Sequence, residues 1–410
     1  MNTHPPIYER YSRIIIAVLL CVSGFLVYFF TQPHVPDPFN YFNYLADAFL
    51  HGRVYVTVTP SYFEELIVKG GKSYVIYPPM PAIVLMPFIA LCGISFKQVF
   101  LSFFLGGLNI SIVYLLMRKV TEDEDIQFWM AVLFGFGTIH WYTATVGSVW
   151  FFSHIVSMTF LLLAIYGTFG GWSALLIGLL LGASYWSRLT TILTFPFFII
   201  MLSDRWLLTR DKGGLFGRMR VSPLILFCSG VGIFVLLNFA YNYVRFGSLL
   251  DTAYVLHTIS PAKEKVSPWF NKGLFSFSYI PYHLRVFLLE PPVFIKIWPY
   301  VIPSKVGLSI LITTPAFVFA LFAARRKKLI LACWSAIILT AFLIFIKSGT
   351  GWAQFGYRYA LDFYPFLLLL TVTGIGEELK WYHKVLILLS VLVNIWGVLF
   401  LNKFDWYKLY

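Results

Sequence analysis

Charge is what this chain has least of. Only 12% of its 410 residues are charged, with 18 Asp and Glu against 31 Lys and Arg. A soluble core needs a polar shell, and 59% hydrophobic residues leave too little of one. Most of the chain must therefore face lipid or other buried helices. Cysteine is nearly as scarce: Cys21, Cys92, Cys228 and Cys333 stand singly in apolar stretches, without CxxC spacing. That argues for buried packing residues and against zinc cages or disulfide frameworks. Walker A, HExxH and GxSxG are missing, as is a GxGxxG between a strand and a helix, so cytosolic nucleotide chemistry finds no support. Nor is there a solenoid-like repeat or a symmetry between halves of the kind transporters carry.

The net charge of +13 does not imply nucleic acid, because no basic stripe lies on a soluble fold. The cations instead collect in short connections between apolar runs. Runs near the ~20 residues needed to cross a bilayer fall at about 14–31, 98–117, 127–143, 150–169, 172–187, 189–203, 222–243, 305–324, 329–346, 361–376 and 385–402. The chain thus reads as an all-α polytopic membrane protein with about eleven transmembrane helices. The first run lacks an A-x-A-like site after it and reads as an uncleaved span. Met80 to Cys92 is apolar but shorter than a span and interrupted by Pro81 and Pro87, which suits a juxtamembrane or re-entrant helix.

Arg10 and Arg13, Arg118-Lys119, the basic residues between Arg205 and Arg220, and Arg325-Arg326-Lys327-Lys328 all land on one side of this alternation. That side is expected to be cytoplasmic. Two long segments then face outward, 32–97 and 244–304, within one domain covering 1–410. The second is rich in aromatics with interspersed cations, including Arg285 and Lys296, as suits a headgroup-level surface. The protein is expected in the plasma (inner) membrane, with its active site extracytoplasmic.

An external active site using a carboxylate base must draw on the outward acids. Those are Asp37, Asp47, Glu64, Glu65, Asp251, Glu264, Glu290, Asp362 and Asp405. Asp47 lies in a stretch, Asn40 to Arg53, that reads as a short amphipathic helix stopped by Gly52. There Tyr44, Asp47 and His51 share one face. Asp37 sits between Pro36 and Pro38, where a turn or cap role competes with a catalytic one. In the segment Gly351 to Pro365, Arg358 and Asp362 are four apart and would pair on a helix. Gln354, Tyr357 and Arg358 suit an anion and hydroxyl site, since Arg forks onto phosphate oxygens. Arg188 is an isolated cation in apolar sequence, and His154 lies near the outer end of a span. Intramembrane ionisable groups are functional candidates, with snorkelling and structural burial as the rival readings.

Four stretches carry a resemblance. They are Tyr44 to Arg53, Tyr77-Pro78-Pro79-Met80-Pro81, Tyr241 to Ser248, and Gln354 to Asp362. In this order and sidedness they resemble the polytopic GT-C glycosyltransferases, in particular the dolichyl-phosphate-mannose protein mannosyltransferases and lipid A aminoarabinose transferases. The resemblance implies a GT-C-like fold with juxtamembrane helices in a large first external loop. It also implies inverting transfer of a sugar from a polyprenyl-phosphate donor to a lipid, glycan or protein acceptor. A first-loop acid, Asp37 or Asp47, would act as base, and Arg245, Arg285, Lys296 and Arg358 would serve the donor phosphate. No metal ligand cluster is evident, although a divalent cation, Mg or Mn, could assist. A lipid-linked sugar flippase or secondary transporter is the competing class, and a wall-polymer polymerase or ligase would share the lipid-phosphate substrate.

Overall fold

The computed structural model describes residues 7–35, 37–63, 65–207, 222–250, 253–256, 272–351 and 354–404. Glu64, Asp251, Glu264 and Asp405, named above among the outward acids, lie outside the described residues. Helices dominate, joined by two antiparallel hairpins, β1 (Leu66–Lys69) with β2 (Lys72–Val75) and β3 (Val293–Phe294) with β4 (Val301–Ile302).

Among the described residues, six helices are long and apolar enough to cross a bilayer. They are α1 (Ile7–Phe30), α4 (Gln98–Val120), α7 (Val149–Gly170), α10 (Pro223–Phe246), α14 (Lys327–Ile346) and α16 (Trp381–Lys403). Helices α4 and α7 are 72% and 78% buried over their apolar windows, against 22% for α1 and α10. The first two therefore form the centre of the bundle, and the others turn most of their surface to lipid.

The remaining apolar runs are shorter or broken, which is why fewer than eleven meet that length. The run at 127–143 divides at Gly137 into α5 (Glu124–Phe136) and α6 (His140–Val146). The run at 305–324 resolves into the short α13 (Ile310–Thr313) and a 3-10 segment, Pro315–Phe322, whose proline stands in its first turn. Shorter apolar helices are α3 (Met80–Cys92), α8 (Ala174–Tyr185), α9 (Phe195–Leu207) and α15 (Tyr364–Ile375). Short helices α11 (Ala253–Leu256) and α12 (Ile280–Leu289) belong to the second long loop.

Lipid gives no hydrophobic incentive for helices to associate, so close backbone approach through small residues takes over. Gly178 of α8 and Gly230 of α10 face one another. A Cβ at Gly230 would lie 2.5 Å from the Leu175 carbonyl oxygen and 2.7 Å from the Leu179 nitrogen.

The first long loop is pinned to the helices below it. Helix α2 (Tyr41–Leu50) buries Phe42, Leu45 and Ala46, packs on α3, and is followed by Gly52 at φ 68°, a left-handed conformation only glycine adopts at no cost. The Asn43 amide donates to the carbonyls of Ile94 and Phe96, and the Met80 N–H to that of Trp186. Nearer α1, the Val149 N–H donates to the Phe39 carbonyl at 3.0 Å. That bond seats the chain around Asp37 at the start of α7.

Candidate active site

Helix periodicity brings Trp150, Phe151 and His154 to one end of α7, at i, i+1 and i+4. His154 is buried, and its Nδ1 lies 3.1 Å from Asp362 Oδ1. The opposite side of Asp362 is gripped by Arg188, whose Nε reaches Oδ1 at 3.2 Å and whose Nη2 reaches Oδ2 at 2.9 Å. The Thr190 hydroxyl donates to Oδ2 as well. Arg188 can reach there because α8 ends at Tyr185 and Arg188 itself is extended (φ −144°, ψ 106°) before a 3-10 turn, Leu189–Thr194. The Ser184 hydroxyl holds that turn to α7 through Ser157 at 2.9 Å and Thr191 at 3.1 Å.

The pairing of Arg358 with Asp362 expected from their i,i+4 spacing does not occur. Arg358–Phe363 is a 3-10 turn, not an α-helix. With three residues per turn, positions four apart point to different sides, so Asp362 faces Arg188 while Arg358 faces elsewhere. Arg358 is buried, with its Cζ 4.8 Å from the Phe151 ring centroid. Its Nε and Nη1 have no hydrogen-bond partner among the described residues. A buried guanidinium with two open N–H groups is costly unless an anion completes it.

Asp37 faces that guanidinium from the first loop. Its Oδ1 accepts the Phe39 N–H at 3.0 Å, and Ser148 and Arg358 lie beside it. Burial raises the Asp37 carboxyl above its ordinary range, outweighing the lowering by the Phe39 N–H, Ser148 and Arg358. Glu65 joins the same wall, its Oε2 accepting the Trp150 indole N–H at 2.8 Å. Phe39 packs on Trp150 with ring centroids 4.8 Å apart.

Lys347 and Tyr359 are members that the sequence reading missed. Lys347 directly follows α14, and its Nζ lies 5.0 Å from the Tyr359 ring centroid and 5.6 Å from that of Tyr254. Its backbone is clamped: the Lys347 carbonyl accepts His283 Nε2 at 2.8 Å, and the Ser276 and Ser348 amides bond the Ile346 and Leu274 carbonyls. A lone cation directly after an apolar run, on the side of the long loops, was the available signal.

Two other candidates support this segment from behind. Tyr357 is buried and bonds His283 Nδ1 at 2.5 Å. Because His283 Nε2 must donate to a carbonyl, Nδ1 is the acceptor and the phenol the donor. The Gln354 amide donates to the Val306 and Thr350 carbonyls, each at 2.8 Å.

The other candidates lie apart. Asp47 pairs with Arg53 at 3.6 Å and His51 at 3.5 Å. It lines a cleft that shares no residue with the Arg188–Asp362 cluster. Arg245 has a partner for each guanidinium nitrogen, donating to the Tyr241 and Val75 carbonyls and to Asn242 Oδ1, and its Cζ lies 3.7 Å from the Tyr241 ring centroid. It borders a second, narrow cleft, whose wall includes Leu189 and Tyr254 and so adjoins the cluster. Arg285 is exposed beside Glu290 at 3.6 Å, and Lys296 is exposed between β3 and β4. Among the described residues no three His, Cys, Asp or Glu side chains converge as metal ligands.

No family model matches the chain, and no curated protein matches it. Among solved structures it is similar to the crystal structure of ArnT from Cupriavidus metallidurans bound to undecaprenyl phosphate. The two share 13% sequence identity at a TM-score of 0.51, over 88% of this chain and 60% of that one. The protein has the ArnT-type membrane fold, and it spans about 60% of the length of that relative.

Proposed function

We propose that this protein is a membrane glycosyltransferase that moves a sugar from a polyprenyl-phosphate donor to an acceptor on the extracytoplasmic side. The observation that carries the proposal is the buried Arg358 guanidinium, with Nε and Nη1 unfilled among the described residues, beside the half-buried Asp37 carboxylate of the first loop. The ArnT-type fold and the undecaprenyl phosphate in that relative's structure agree with it.

In this reading the donor phosphate lies between Arg358 and Lys347. Arg188, already neutralised by Asp362, supplies the rigid wall of the site, and His154 braces the same carboxylate. Asp37 takes the proton of the acceptor hydroxyl or amine as that atom attacks the anomeric carbon. The bond from that carbon to the phosphate oxygen breaks on the opposite face, inverting the centre. The polyprenyl phosphate leaves as an anion stabilised by the cations, so no general acid is required. The isoprenoid tail runs along the apolar surface between spans. Gln354 and Tyr357 hold the Arg358 turn in place. Asp47, Arg285 and Lys296 serve the surrounding surface, at the loop helix and the headgroup level. The side of the membrane follows from the distribution of Lys and Arg among the short loops.

The test is a reconstituted assay with radiolabelled polyprenyl-phosphate sugars, comparing wild type with Arg358→Ala. Label in a new covalent product with wild type and not with the variant is expected. Label that only changes leaflet, chemically intact, would make the protein a transporter and overturn the proposal.

A further inference from the structure

Three cations meet at one aromatic ring. Measured to the Tyr359 ring centroid, Lys347 Nζ lies at 5.0 Å, Arg188 Cζ at 5.4 Å and Arg358 Cζ at 5.6 Å. Each comes from a different piece of chain: the residue directly after α14, the linker after α8, and the turn bearing Tyr359 itself. All three fall within the ~6 Å over which a ring quadrupole attracts a cation. Like charges so close repel one another, and among the described residues the one ion pair made by any of the three is that of Arg188 with Asp362. The ring is half-buried, so its face offsets repulsion that water would otherwise screen.

We propose that Tyr359 is the positioning residue of the phosphate site: its ring gathers Arg188, Lys347 and Arg358, and its phenol oxygen holds the place a donor phosphate oxygen takes on binding. This rests on the glycosyltransferase reading and deepens it by naming what sets the affinity for phosphate. The remaining groups facing Tyr359 are His154, with ring centroids 6.2 Å apart, Tyr357 at 6.0 Å, and Tyr254, with which it interacts electrostatically. Burial alone would push the Tyr359 phenol up, but Lys347, Arg358 and Arg188 override it and bring it down to about 8. The sign follows. Below that pH the phenol is neutral, and Lys347 and Arg358 are free for an anion. Above it the phenolate neutralises one of them and competes with phosphate.

The experiment is equilibrium binding of undecaprenyl phosphate to the full chain in lipid nanodiscs between pH 7 and 9.5, with wild type, Tyr359→Phe and Tyr359→Leu. Wild-type affinity should fall toward about tenfold per pH unit above the phenol's titration, the slope of one linked proton, while Tyr359→Phe stays flat to about twofold. Loss of the Lys347 charge would weaken both alike, so parallel declines overturn the proposal. Tyr359→Leu should bind weakly at every pH. If it binds at pH 7 as tightly as Tyr359→Phe, the gathering role is wrong. Should the leucine variant not fold, phenolate absorbance of wild type minus Tyr359→Phe decides the matter. It should titrate near pH 8 and move upward when undecaprenyl phosphate saturates the site, and an unmoved titration refutes the placeholder role. No binding by wild type at any pH would instead sink the phosphate-site reading itself, and this inference with it.

Discussion

Arg188 holds Asp362 through two parallel hydrogen bonds, Nε to Oδ1 at 3.2 Å and Nη2 to Oδ2 at 2.9 Å, across 174 residues of sequence. The Asp362 side chain is 1% exposed and that of Arg188 16%, so neither charge has much water to fall back on. Removing one partner strands the other, at about 3–5 kcal/mol, whereas removing both leaves nothing to desolvate. Arg188→Met and Asp362→Leu should therefore each lower the thermal unfolding temperature sharply. The double variant should recover part of the loss. Tryptophan fluorescence melts in detergent give the coupling, and additive losses would mean that the pair contributes no more than two independent side chains.

Asp37 and Asp47 were indistinguishable as bases by residue type alone, and their surroundings separate them. Asp37 faces Arg358 and is raised by burial, while Asp47 pairs with Arg53 and His51 in another cleft. Asp37→Asn should reduce turnover by about 10²–10⁴-fold, the usual contribution of a positioned base, and Asp47→Asn by no more than a few-fold. A folded-state carboxyl that titrates above its unfolded value costs stability once it ionises. Asp37→Asn should therefore melt no lower than wild type at pH 7, and the two measurements together distinguish a lost base from a damaged fold.

Much of this site could be read before the fold was known, and the parts that could not share a physical reason. Arg188 stood out as a lone cation in apolar sequence, and the fold supplies its partner. Its pairing with Asp362 was hidden because Arg358 lies four residues from Asp362, and spacing alone assumes an α-helix where the chain makes a 3-10 turn. Lys347 and Tyr359 carry no motif: one ends an apolar run, the other is one tyrosine among 25, and only long-range packing makes them neighbours. Gly137 and Pro315 were visible as breaks, yet whether such a break divides a span or merely bends it depends on neighbouring helices re-satisfying the backbone.

His283 gives the loop side of the protein a pH limit of its own. It sits in α12, outside the spans, wedged between Tyr357 and the Lys347 carbonyl. Burial lowers it to about 4, the bond to that carbonyl opposing the shift and the Lys347 charge adding to it. A histidine depressed in the folded state contributes stability above its unfolded value of about 6.5 and loses it as pH falls through the folded one. Melting temperature should therefore decline between pH 6.5 and 4. His283→Gln should start lower at pH 7 and decline less over that window. Equal slopes for the two proteins would place the acid sensitivity elsewhere.

The approach of α8 to α10 fixes where Arg188 begins. Gly230 lies so near the Leu175 carbonyl and the Leu179 nitrogen that an added Cβ must push backbone, not a side chain that can swing away. Gly230→Val should therefore force the two helices apart at a cost of about 1–3 kcal/mol or more. Gly232, two residues along the same helix, has nothing within 4 Å of where a Cβ would stand and should accept alanine without loss. Because α8 leads directly into Arg188, the separation should reach the site as well. Gly230→Val is expected to weaken undecaprenyl phosphate binding along with stability, and Gly232→Ala to change neither. Loss of stability with binding intact would show that the linker after α8 absorbs the displacement before it reaches Arg188.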